Sequence, residues 1–220
     1  MLPDTPRSRR GSSGVEKAQW RSVYESTAYD QLPWFDPGPS RGVRYAVEER
    51  FLPEKGELLD VGCGAGSNLI FLAGKGLNVH GVDLSPGAVA AARARAHEAG
   101  REIDVREGDV LALPFADGSF DAAVDNGCFH AIPISRRERY AKEMHRVLKP
   151  EGRFVLSWVA REHTGPMGPR HRPSLLEVTK LLESRFLFVR TGFSPGQEEE
   201  GPAAYFAFLS RRSGPYPPRR

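Results

Sequence analysis

The chain is poor in several things whose absence narrows what it can be. Only two of its 220 residues are cysteines, Cys63 and Cys128. An even pair leaves a disulfide open, but one lies in a glycine loop and the other follows a strand-like run. Nothing else suggests a disulfide-stapled fold, so reduced thiols in a cytoplasmic protein are expected. No run approaches the roughly 18–20 apolar residues of a membrane-spanning helix, and no membrane partner is expected. Arg7, Arg9 and Arg10 have no apolar stretch behind them, so the start does not read as a secretory signal. An Arg- and Ser-rich start also suits an organelle transit peptide, although a disordered tail is the simpler reading. Positive charge is missing where a nucleic-acid reader would need it. The formal net charge is +3, but residues 1–18 carry +2 and residues 211–220 carry +4, leaving −3 for residues 19–210. No nucleic-acid partner is expected. There is no internal repeat, and the length suits one domain with short appendages.

What the chain does have is alternation. Strand-like runs at 57–62, 77–84, 103–110, 119–127 and 153–159 are separated by helical segments at 67–76, 85–100 and 135–152. In the second helical segment Ser85 is a ready N-cap, Pro86 suits the first helical position and Gly100 is a terminator. In the third, Pro150 and Gly152 are the expected stops. Strands alternating with helices imply βαβ units and a doubly wound α/β fold with a mostly parallel sheet. A further helix is expected near 174–184. Two apolar runs, RFLFVRTGF and AAYFAFLS, then follow with no helix between them, and should close the sheet as an antiparallel hairpin.

The stretch DVGCGAGSN, Asp60 to Asn68, places Gly62, Gly64 and Gly66 between a strand and a helix. Such glycines make a tight turn and let a ligand approach the backbone beside helix N-terminal amides. A strand–helix turn without a ligand is the plainer alternative. Ser67 stands where a dinucleotide fingerprint has its third glycine, and an acid at 60 would repel a pyrophosphate. That acid suits a ligand with an ammonium group and no phosphate. Asp83 ends the second strand in GVDL, and GDV follows the third at 108–110.

In these features residues 41–210 resemble the class I S-adenosylmethionine-dependent methyltransferases, whose fold implies seven strands with a C-terminal antiparallel strand. The resemblance implies S-adenosylmethionine as cofactor. Its methionine part would lie at Asp60, Gly62, Cys63, Gly64, Gly66 and Asn68. Asp83, followed by Leu84, would meet the ribose hydroxyls. Asp109 would meet the adenine amino group and the Val110 amide a ring nitrogen; Asp109 as a plain turn residue is the alternative.

The segment VDNGCFHAIP closes the fourth strand, where this class positions its methyl acceptor. Methyl transfer to an anion or thiolate needs little beyond alignment, whereas a hydroxyl or ammonium acceptor needs a base. His130 and Asp125 are the candidate catalytic groups, with Asp125 and Asn126 also expected near the cofactor. His130 as a structural residue and Cys128 as an apolar filler are the bland alternatives; a metal at Cys128 and His130 lacks further ligands. Asp-x-Gly-Cys-Phe-His behind Pro33-Trp34 resembles the thiopurine and tellurite-resistance branch. That likeness implies small, soft acceptors and a segment around Trp34 folded over the cofactor. Two departures stand out: Phe35 is inserted after Trp34, and Asn126 occupies a position where the branch often has Arg.

The expected organisation is thus a disordered tail (1–18), a lid segment (19–40) to which Trp20, Tyr24 and Tyr29 add aromatics, the methyltransferase domain (41–210) and a basic tail (211–220). The lid segment is alternatively a bare linker. Within it, Phe35 is the expected source of substrate preference. Loops 160–173 and 193–201, with the N-terminal segment, are expected to shape the acceptor pocket. Arg161, His163, Arg170 and His171 there read first as solvated loop residues, with recognition of an acid group as the alternative. The leading reading is a monomeric enzyme acting on a small molecule. A nucleotide-dependent oxidoreductase, disfavoured by Ser67 and Asp60, and a non-catalytic cofactor-binding partner protein are the alternatives.

Overall fold

Strands that are apolar almost throughout are strands covered on both faces, and in a computed structural model they form the middle of one sheet. The structure describes residues 13–161, 172–194 and 203–214. The chain opens with α1 (Ser13–Ser26), a 3-10 turn at Tyr29–Gln31 and α2 (Arg41–Glu48). There follow β1 (Glu57–Val61), α3 (Ser67–Ala73), β2 (Asn78–Asp83), α4 (Pro86–Glu98) and β3 (Asp104–Glu107). Next are β4 (Phe120–Asn126), α5 (Cys128–Ala131), α6 (Arg137–Val147) and β5 (Leu148–Val159). The last elements are α7 (Leu175–Leu182), β6 (Phe186–Ser194) and β7 (Ala204–Arg211).

The seven strands lie in the order β3-β2-β1-β4-β5-β7-β6. The first five pair parallel, and β7 runs antiparallel to both β5 and β6. Side chains alternate between two cores. Leu58, Ala122, Val124 and Val155 pack with Leu69, Leu72, Val89 and Ala92 on the α2–α4 face. Leu59, Ala123, Phe154 and Leu156 pack with Tyr140, Met144, Val178 and Leu182 on the α6–α7 face. After β1 the chain winds outward through β2 and β3 and returns to place β4 on β1's other side. Ligands of open sheets bind at such a reversal, outside the carboxyl ends of the strands. Asp60 of β1 pairs with Val124, one residue before Asp125.

Local signals act as the sequence implies at α4, where the Ser85 side chain accepts from the Ala88 amide and Pro86 opens the helix. Three boundaries differ. α1 begins at Ser13, inside the segment expected to be a tail, so residues 13–18 are helical. α6 stops at Val147, and Leu148 already pairs with Phe120. The residue before a proline is pushed out of the helical region, and Lys149, ahead of Pro150, already lies in β5. At the C-terminus β7 runs to Arg211, and Arg212 Nε donates to the carbonyls of Glu183 (3.0 Å) and Phe186 (3.3 Å), which ties the start of the basic tail to the fold. Among the described residues no helix is long and apolar enough to cross a membrane.

Candidate active site

The loop after β1 is built by close approach. Gly62 has φ +68°, and a Cβ there would stand 2.5 Å from the Cys128 Cβ, so only glycine lets α5 pass this near. Gly66 is the N-cap of α3 at φ +80°, and its added Cβ would meet the Ala92 Cβ at 2.9 Å, which sets how tightly α3 and α4 pack. The loop's position against β2 is fixed by the Gly62 and Cys63 amides, which both donate to the Val82 carbonyl (2.7 and 3.1 Å).

Three carboxyls meet at this end of the sheet. Asp60 is 1% exposed, and its Oδ2 is buried without a hydrogen-bond partner among the described residues. Burial pushes its pKa well up, with Asp125 and Asp83 adding to the effect and a bond from the Asn68 side chain opposing it. An orphaned carboxylate oxygen in such a place is costly; a cationic group beside it would remove the cost. Asp83 Oδ2 accepts from the Gly64 amide and Oδ1 from the Ser85 amide, each at 2.9 Å. It thereby ties the glycine loop to the start of α4, and burial raises its pKa. The Gly108 amide donates to the Asp83 carbonyl (2.9 Å), which brings Asp109 and Val110 beside it. Asp109 Oδ1 accepts from Leu111 N (2.9 Å), a turn-forming bond, and Val110 packs partly into the core. The Leu84 carbonyl accepts from Arg21 Nε of α1 (3.3 Å).

Two residues expected at the cofactor turn their side chains into the fold. The Cys63 side chain is buried in the α2–α4 core, against β2, where an added Cβ at Gly81 would be 2.9 Å from its Sγ. Asn68 turns inward, bonding Asp60 and accepting from the Ser40 amide (2.9 Å). It joins the glycine loop to the start of α2.

Asp125 also differs from the expected base. Its carboxyl is 1% exposed and fully engaged: Oδ1 accepts from Cys128 N (2.9 Å), and Oδ2 from Phe129 N (3.0 Å) and the Tyr140 hydroxyl (2.5 Å). It holds the first turn of α5 in place, and burial pushes its pKa up to about 7 against these bonds. Cys128 is partly buried, and burial raises its thiol pKa, with Asp125 adding to it. Asn126 is exposed at the end of β4. His130, partly buried, accepts a bond from the Val159 amide at Nδ1 (3.0 Å), and burial lowers its pKa to about 3. A side chain so placed does not take up a proton near neutrality, so a general base is not what this geometry makes of His130.

The segment around Trp34 lies against the glycine loop. The Tyr24 hydroxyl stands 3.0 Å from where a Cβ on Gly64 would be. The Trp34 side chain bonds to Tyr24, whose pKa burial lifts to about 12. Trp34 also meets Trp20 edge-on, its ring 5.8 Å away. The Ser67 hydroxyl donates to the Asp36 carbonyl (2.5 Å). Arg95 of α4 reaches the carbonyls of Ala65 (2.5 Å) and Pro37 (3.3 Å) and lies over the rings of Tyr29 (5.6 Å) and Phe35 (4.9 Å). Phe35 therefore belongs to a clasp between this segment and α4. Neither Arg95 nor Tyr140 is singled out by sequence pattern. For Tyr140 a signal exists, since a tyrosine on the apolar face of α6 must find a partner for its hydroxyl; for Arg95, one of several arginines in an Ala-rich helix, there is none. Arg161 pairs with Glu177 (2.6 Å), while His163, Arg170 and His171 lie outside the described residues.

Residues 59–156 match the family model described as a methyltransferase domain. The demethylmenaquinone methyltransferase of Thermus thermophilus is 36% identical over 144 residues, covering 64% of this chain and 63% of the relative. The 2-heptyl-1-hydroxyquinolin-4(1H)-one methyltransferase of Mycobacteroides abscessus is 28% identical over 142 residues, 62% of each chain. The chain thus spans less than two thirds of the length of either curated relative. Magnesium protoporphyrin IX methyltransferase of Synechocystis, solved with bound S-adenosylmethionine, superposes with a TM-score of 0.69 at 20% identity over 94% of this chain and 100% of that one, a likeness of fold. The domain match and the likeness of fold agree: residues 59–156 are similar to a methyltransferase domain, and the chain shares its fold with a solved S-adenosylmethionine-dependent methyltransferase.

Proposed function

We propose that this protein transfers a methyl group from S-adenosylmethionine to a small-molecule acceptor, with thiols and other soft nucleophiles favoured over hydroxyl or carboxyl groups. The observation that carries the reading is the buried Asp60 Oδ2 beside the glycine loop, without a hydrogen-bond partner among the described residues. A dinucleotide phosphate would be repelled there, and the ammonium of a methionine moiety would complete it. Asp83 and Leu84 would hold the ribose, Asp109 and the Val110 amide the adenine, and the backbone of Gly62, Cys63, Gly64 and Gly66 the methionine end. Asp60, Asp83 and Asp125 together favour a positively charged ligand. When bound, the cofactor supplies an electrophilic methyl on a sulfonium; the chain's part is to orient it and to exclude water. Trp34 and Tyr24, already against the loop, would cover it.

The two named relatives act on a quinolone and on a demethylmenaquinone, which supports a small-molecule acceptor. The likeness to the thiopurine and tellurite-resistance branch, carried by Pro33-Trp34 and Asp125–His130, favours a soft one. The charge of −3 over residues 19–210 speaks against a nucleic-acid partner, and the reading of the two cysteines as reduced thiols favours the cytoplasm. We take the enzyme to be a monomer without a membrane partner. Calorimetry with S-adenosylmethionine tests the cofactor; a folded protein that binds none at millimolar concentration would end this reading. A radiolabelled-methyl screen across thiols, phenols, carboxylates and amines tests the acceptor. Cofactor binding with no transfer to any of them would mark a non-catalytic member.

A further inference from the structure

The role inferred here for His130 rests on the methyltransferase reading. β4 ends at Asn126 while β5 continues to Val159. Gly127 still reaches β5, its amide donating to the Ser157 carbonyl (3.0 Å). At Val159 no β4 residue remains opposite, and that amide donates instead to His130 Nδ1 (3.0 Å). A backbone N–H can only donate, so Nδ1 presents its lone pair and a neutral ring carries its proton on Nε2. The neutral form prevails because burial, with the Arg137 and Arg172 charges nearby, holds the pKa near 3. These arginines come from α6 and from the approach to α7, and Arg137 Nη2 also donates to the His130 carbonyl (3.4 Å). On the β4 side the Asp125 carboxyl is spent on two amides and Tyr140, and the Cys128 thiol stays protonated. Nε2 has no hydrogen-bond partner among the described residues, and the ring edge lies over Gly127, 3.6 Å from where its Cβ would be.

We infer that His130 holds the methyl acceptor by donating a hydrogen bond from Nε2–H, and that the acceptor is a group that ionises by itself in water, a thiol or an acidic hydroxyl. A ring whose Nδ1 lone pair is committed has nowhere to put an acceptor's proton. That proton goes to solvent beforehand; the freed lone pair forms the bond to the methyl carbon, and the pair of the breaking carbon–sulfur bond stays on the donor's sulfur. A hydrogen bond donated to an anion is of the stronger, charge-assisted kind and favours the ionised acceptor. Alcohols and alkylammonium groups, which need a base, are thereby selected against.

Nitrogen NMR of protein labelled in histidine should show His130 as the Nε2–H tautomer, not titrating between about pH 5 and 8. With para-substituted thiophenols and phenols of graded acidity, kcat/KM should rise with pH to a plateau whose midpoint follows each acceptor's own pKa. His130→Leu should raise the acceptor KM by about ten- to a hundredfold with cofactor affinity unchanged, and His130→Gln, which keeps an N–H donor, should recover part of that loss. The ring also closes the β5 ladder, so melting curves accompany both variants; if either fails to fold, the tautomer and the wild-type profiles decide. An Nδ1–H tautomer overturns the inference, as does a titration limb common to all acceptors that vanishes in His130→Gln. Turnover of neither series by a protein that binds S-adenosylmethionine overturns it too. Failure to bind S-adenosylmethionine instead overturns the methyltransferase reading and this inference with it.

Discussion

Asp125→Asn removes a titrating group from the centre of the site while keeping its shape. The Asp125 carboxyl sits near pKa 7 in the folded protein, against about 3.9 in an unfolded chain. Between these values the folded protein holds a proton that the unfolded chain has released. The stability arising from this group is therefore fully present below about pH 4 and is lost as pH rises through about 7. The displacement corresponds to ~4 kcal/mol over the whole range, of which about 2.5 kcal/mol lies between pH 8 and pH 5. Asp60 and Asp83 are displaced in the same direction and remain in the variant, so the informative quantity is wild type minus variant at each pH. Asparagine keeps an oxygen for the Cys128 and Phe129 amides, and its NH2 can face a Tyr140 hydroxyl turned from donor to acceptor. In urea unfolding, the wild type should gain about 2.5 kcal/mol on the variant when pH is lowered from 8 to 5. A difference constant to within about 0.5 kcal/mol would refute the reasoning, because Asp125 would then ionise in the ordinary carboxylate range despite its burial.

Three other outcomes follow from the same geometry. Asp83→Ala should weaken cofactor binding by about 1–3 kcal/mol in calorimetry; an unchanged affinity means the ribose is held elsewhere. Trp34→Ala takes away the bond to Tyr24 and the Trp20 contact, and should weaken cofactor or acceptor binding with the fold retained by circular dichroism. Unchanged binding of both would make residues 32–40 a mere spacer. Gly66→Ala should cost about 1–3 kcal/mol of stability, and clearly more than Gly76→Ala, which shares a positive φ but has nothing within 4 Å of the added methyl. Equal costs in thermal unfolding would show that the tight fit against Ala92 does not matter.

Residues governed by local physics are legible in the sequence. Ser85 and Pro86 start a helix wherever they lie, and Gly62, Gly64 and Gly66 demand a turn. The acids at 60, 83 and 109 are recognisable because each ends or follows a strand at a fixed offset. Asp125 is recognisable too, but its role is not, since the sequence does not say whether a carboxyl at a strand end points outward or is turned under to hold the next helix. Tyr140, fifteen residues on, decides that. Phe35 reads in the sequence as a specificity element, and Arg95 against its ring makes it part of the clasp instead.

The sequence by itself determined the alternation of strands and helices and the antiparallel finish, because these depend on backbone preference, apolar periodicity and short-range spacing. The cofactor class was implied by the family resemblance that its glycines and acids carry. The tertiary structure decided protonation and direction. Which carboxyl lacks a partner, which nitrogen of His130 carries the proton, and which aromatics clasp and which cover all depend on groups far apart in the chain. Burial and hydrogen bonding act on a side chain through whatever the fold brings beside it, and the fold brings Val159 to His130 and Arg95 to Phe35.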